Sequence, residues 1–219
     1  MQKTINVLLA LTKWPVAIGM ILMTIPAFRA NIYILYYGLT PQLLGWFFMP
    51  LAAVVLMGLI RPGIGNSRAA ILMHEVTHMI FAFLTGNKPR DIQVRRDRGL
   101  FLFNGPGNWL IAVGPYFFPT IPFILMGIGT LYPMAGQPIP NVYLGLVGVA
   151  TGFYLISVMN EIHIDQSDFR TIGYLFSILF LPAANLIMIG FILGYACYGL
   201  SGISIYVREL IRQVGIYTG

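Results

Sequence analysis

Long apolar runs, cut by short polar interruptions, dominate this chain. A helix that spans a bilayer needs about 20 mostly apolar residues, and five or six segments meet that pattern. They cover residues 5–28 (Lys13 near the start, Pro15 inside), 41–60 (closed by "RPG"), 67–84 (ending at Gly86 in "GNKP"), 107–132, 142–159 and 171–200 (Pro182 inside). The pattern predicts an all-α polytopic membrane protein, a bundle of about six transmembrane helices forming one domain over residues 1–219. Pro115, Pro119 and Pro122 break up the fourth segment. Prolines at membrane depth persist where protein or water satisfies the freed backbone groups, so this segment is expected to pack inside the bundle or line a cavity. Residues 29–40, with the tyrosine-rich "YILYYG", read as a loop or a short interfacial piece.

Two stretches fall outside the spanning pattern. In residues 87–106, "DIQV" and "LFLF" flank "RRDRG", which predicts a short β-hairpin after the third helix, turning near Asp97 to Gly99. At the carboxyl end, residues 203–214 place Ile203, Val207, Leu210, Ile211 and Val214 on one helical face. Arg208, Glu209 and Arg212 fall on the other, so this is an amphipathic helix at the interface or docked on the bundle.

Composition agrees. Of 219 residues, 58% are hydrophobic and 9% charged, whereas a soluble domain carries roughly 25% charged residues. The net charge of +6 comes from basic residues scattered over loops, which suits anionic lipid headgroups and not nucleic acid. Five of the thirteen basic residues lie in 87–106, which by a narrow margin puts that loop in the cytoplasm and both termini outside. Cys197 is the only cysteine, so no internal disulfide forms.

The candidate chemistry interrupts the third apolar segment. In "ILMHEVTHMIF", His74, Glu75 and His78 form H-E-x-x-H. On a helix the two histidines lie one turn apart on one face, able to grip one Zn²⁺, and Glu75 can take the proton of a metal-bound water as general base. An ionisable group at membrane depth costs about 2.5 kcal/mol or more, so such groups are functional by default. A histidine–glutamate packing network or a proton relay is the competing reading. A catalytic zinc takes a third protein ligand and keeps one position open. The candidates crowd into "NEIHIDQSDFR", on the same membrane side as the hairpin loop. Asp168, at the opening of the sixth helix with Ser167 placed to cap it, ranks first, Asp165 second and His163 third.

H-E-x-x-H inside a spanning helix, then a hairpin-like loop, a "GP" element ("GPGN" at 105–108, "GP" at 114–115) and a distant aspartate opening a later helix resembles the site-2-protease-like family of intramembrane zinc metalloproteases. The resemblance covers residues 69–175. It implies His74 and His78 as ligands, Glu75 as general base and Asp168 as third ligand in a zinc-dependent endopeptidase. That enzyme would cut peptide bonds in or beside a membrane segment of a protein substrate. The family's second motif usually reads N-x-x-P-x-x-D-G, whereas "QSDFRTIG" has neither the proline nor the glycine after the aspartate, which marks a divergent branch. The hairpin could hold a substrate extended by edge pairing. The implied setting is multi-pass, in a bacterial-type inner (plasma) membrane among lipids and other membrane subunits. Two further classes compete: a non-catalytic member of the same fold acting as scaffold or assembly subunit, and an ion or proton transporter. The transporter is disfavoured by the absence of an internal repeat and the scarcity of polar residues in the other spans.

Overall fold

The computed structural model describes residues 2–95, 99–163 and 166–218. Its first helix, α1, runs unbroken over Gln2–Gly38. The interfacial loop expected at 29–40 is therefore helix up to Gly38. The reason is cover from a distant segment: Ala30 and Ile34 are fully buried, and the Asn31 side chain donates to the Leu186 carbonyl at 2.9 Å. A polar residue in an apolar helix thus finds its partner on a neighbouring one.

Next come α2 (Pro41–Leu43), a π-helical turn (Leu44–Phe48) and α3 (Met49–Ile60), continuous over 20 residues. The Thr40 side chain caps the start by accepting from the Leu43 N–H. After α4 (Arg68–Leu84), strands β1 (Lys88–Val94) and β2 (Gly99–Asn104) pair antiparallel, from Lys88 opposite Asn104 to Val94 opposite Gly99. The predicted hairpin is present, with an irregularity between Pro89 and Asp91. Its tip, with Asp97, lies outside the described residues.

The proline-rich segment divides into α5 (Trp109–Val113), a 3₁₀ turn (Gly114–Tyr116), α6 (Thr120–Gly129) and α7 (Leu131–Met134). Pro115, Pro119 and Pro122 are all buried, so the breaks face protein. Last come α8 (Asn141–Glu161), α9 (Ser167–Ile172), α10 (Tyr174–Tyr198) and α11 (Leu200–Thr218). The expected single helix over 171–200 is divided because Gly173 takes φ of +90°, a conformation that side-chain-bearing residues rarely adopt. Asp168 therefore sits on its own six-residue helix, and Ser167 is that helix's first residue instead of its cap, a place taken by Gln166.

Among the described residues, four helices are long and apolar enough to cross a membrane: α1, Pro41–Ile60, α8 and α10. The pair Trp109–Tyr116 and Thr120–Met134, bent by 77°, makes a fifth if taken as one span. Helix α4, with 17 residues, is about 26 Å long at 1.5 Å per residue, short of a hydrocarbon core of about 30 Å. One aromatic core, including Phe81, Trp109, Phe169, Phe176 and Phe180, packs behind α4 and α9. A second joins α1, α8, α10 and α11 through Ile34, Val147, Tyr195 and Tyr206.

Helix α11 is rotated from the expected face: Ile203 and Leu210 pack against the core and Arg208 and Arg212 stay outside, as expected. Gly202, Tyr206, Glu209 and Gln213 turn inward, while Ile211 is 66% and Val207 37% exposed. Glu209 can be buried because Arg212 reaches it with two hydrogen bonds, at 2.7 and 2.8 Å, and Gln213 donates a third at 2.6 Å.

Candidate metal centre

Helix α4 is capped by Ser67, whose side chain accepts from the Ala70 N–H at 3.3 Å. Its i, i+4 spacing then sets His74 and His78 on one face, with His78 and Glu75 both 7% exposed. The two Nε2 atoms are 3.1 Å apart.

The outer nitrogens explain why both rings point this way. Nδ1 of His78 lies 2.8 Å from the Ile111 carbonyl of α5, and Nδ1 of His74 lies 2.7 Å from Glu161 Oε2 at the end of α8. A carbonyl and a carboxylate both accept, so each Nδ1 is placed to donate its hydrogen, which turns the two Nε2 atoms towards one another and towards Asp168.

Asp168 joins them from α9. Its Oδ2 lies 3.4 Å from Nε2 of His78 and 3.7 Å from Nε2 of His74. Tyr116 donates its hydroxyl to the same oxygen at 2.9 Å. Burial alone would raise this carboxyl, but the two imidazoles and the tyrosine hydroxyl outweigh it and hold Asp168 well below the usual carboxylate range. Tyr116 is held in turn, since Asn185 donates to its carbonyl at 3.0 Å and Tyr154 donates to Asn185 at 2.6 Å.

The donor set fits a small divalent ion. A tetrahedral zinc with N and O ligands at about 2.0–2.1 Å places those atoms about 3.3 Å from one another. The triangle His74 Nε2, His78 Nε2 and Asp168 Oδ2 has edges of 3.1, 3.4 and 3.7 Å. Among the described residues it is the group of His, Cys, Asp or Glu donors close enough to hold a metal ion.

The triangle opens into a cavity of about 1210 Å³, lined by Glu75, Asn160 and His163 as well as the three ligand candidates. Strand β2 forms one wall through Gly99, Leu100, Phe101 and Phe103. Gly99 rests directly on Glu75: a Cβ added there would fall 2.6 Å from Glu75 Cγ.

Of the residues singled out from sequence, His74, Glu75, His78 and Asp168 come together. His163 stands exposed on the cavity rim, 3.1 Å from the Gln166 side chain and apart from the triangle. Asp165 lies outside the described residues. The sequence reading did not assign Glu161, Tyr116, the Ile111 carbonyl or Asn160. The Asn160 amide nitrogen is buried without a hydrogen-bond partner while its residue lines the cavity. A glutamate and an asparagine ending an otherwise apolar helix were the available signal. No family model, curated protein or solved structure matches this chain.

Proposed function

We propose that this protein is a membrane-embedded zinc metalloprotease that hydrolyses peptide bonds in or next to a membrane segment, as its resemblance to the site-2-protease-like family implies. In this reading α4 and the bent α5–α7 segment complete a bundle of about six spans. The observation that carries it is the His74–His78–Asp168 triangle with Glu75 beside it, in a cavity walled by a β-strand.

His74, His78 and Asp168 would hold the zinc, leaving one position towards the cavity. When bound, the ion lowers the pKa of a coordinated water to about 7 and polarises a carbonyl. The chain's own groups do the rest. Glu75 takes the proton of the attacking water and returns it to the leaving nitrogen, which keeps the reaction balanced at neutral pH. A helical substrate shields its peptide bonds, so it must unwind before attack. Strand β2 offers backbone groups to an extended chain, and Leu100 (51% exposed) gives that chain apolar contact.

The test uses labelled β-casein, an unfolded chain that needs no unwinding, with purified protein in detergent. Wild type should cleave it, and Glu75→Gln should cut the rate by about 10²–10⁴ while keeping its metal. Equal rates in both would remove Glu75 from the chemistry. A metal-loaded wild type that cleaves nothing would contradict the hydrolase reading and favour a metal-holding scaffold.

A further inference from the structure

Lys13 is the one charged residue of α1 between Lys3 and Arg29. A lone ammonium in so apolar a helix needs a partner or a path to water. Its partner is specific: Lys13 Nζ donates at 2.6 Å to the carbonyl of Ile172, the last residue of α9. Its charge also lies 5.3 Å from the ring centre of Phe176, which follows on α10, and 5.4 Å from that of Trp14.

Helix α9 needs such a hold. Six residues do not form a stable helix alone, and α9 joins α10 through Gly173, a pivot with open space where a Cβ would sit. Asp168 rides on this short piece. Two residues of α9, Phe169 and Ile172, are buried, and Lys13 pins its C-terminal carbonyl, the end where a cation is favoured. One turn earlier on α1, the Leu9 carbonyl accepts from the Trp109 indole at 2.6 Å. Trp109 opens α5, whose Ile111 carbonyl orients His78. One short stretch of α1 therefore holds both segments that lie outside α4 and α8 and complete the centre.

We propose that Lys13 is a positioning residue for the metal centre, keeping α9, and through it Asp168, against the His74–His78 pair. The proposal rests on the metal reading of that triangle. A purely structural role is separable from it, because the contact of α1 with α10 is secured elsewhere by Ala27, Ala30 and Ile34, all fully buried, and by the Asn31–Leu186 bond.

The experiment follows Co²⁺ binding to detergent-purified protein by its visible absorption, which reports coordination independently of catalysis. Lys13→Met should lower Co²⁺ affinity by about 10- to 100-fold, the usual range for a lost supporting contact, and shift the spectrum towards that of Asp168→Ala. Lys13→Arg, which keeps a cation and donors, should restore most of both. Asn31→Leu, a control on the same helix, should lower thermal stability and leave the spectrum unchanged. If Lys13→Met does not purify folded, Lys13→Gln is measured in its place against the same criteria. A Lys13 variant with wild-type spectrum and affinity overturns the positioning role while the metal centre stands. A wild type with no cobalt spectrum overturns both, and the two failures are thereby told apart.

Discussion

Each imidazole of the candidate centre is aimed by a group outside the H-E-x-x-H motif, and those groups carry as much of the chemistry as the motif. Glu161, with its side chain 14% exposed, takes the Nδ1 hydrogen of His74 and so frees Nε2 for a metal. Glu161→Gln should therefore weaken zinc affinity by about 10- to 100-fold in a chelator competition and leave stoichiometry at saturation unchanged. Unaltered affinity would mean that the 2.7 Å contact does not fix the ring. The motif itself was legible because helical spacing is local: four residues along the chain fix the angle between two side chains. Asp168 was legible only as one of three candidates, since its place depends on how the segment after α8 folds back. Tyr116 and the Ile111 carbonyl act through contacts 30 or more residues away in sequence, Tyr116 with Asp168 and His78 with Ile111. No pattern along the chain announces such contacts.

At the scale of elements, the hairpin does more than follow the metal helix. Gly99 lets β2 lie against the Glu75 side chain with no Cβ between them. Gly99→Val would push that carboxylate aside without touching the ligands. Casein cleavage should fall by about 10²-fold, the order expected for a displacement near 1 Å, with zinc content kept. Loss of both together would instead mean that the hairpin supports the whole centre. The end of α4 was readable from the "GNKP" stop, and the pairing of β1 with β2 from alternation on either side of a polar turn. Two features were not. Gly173 breaks a continuous apolar run that reads as one helix, and only its φ of +90° separates α9 from α10. Helix α11 turns Glu209 inward because Arg212 and Gln213 satisfy it, a pairing that hydrophobic periodicity does not register.

For the molecule as a whole, α1, α4 and the end of α8 meet β2, α5 and α9 around a cavity that brings together His74, His78, Glu75, Glu161 and Asp168. So many titratable groups in so apolar a chain are costly to hold together without a cation among them. The apolar class and the metal motif were both visible in the sequence, because composition and local spacing survive without the fold. The supporting network was not, because it is built from pairs that only the tertiary arrangement brings together. Zinc per chain should be measured by elemental analysis of protein purified in detergent, metal-replete and without chelator, beside His74→Ala and Asp168→Ala. The metal assignment predicts about one zinc in the wild type, as a three-ligand site with one open position requires, lost in His74→Ala and lost or sharply weakened in Asp168→Ala. A folded wild type that carries no zinc under those conditions would contradict it.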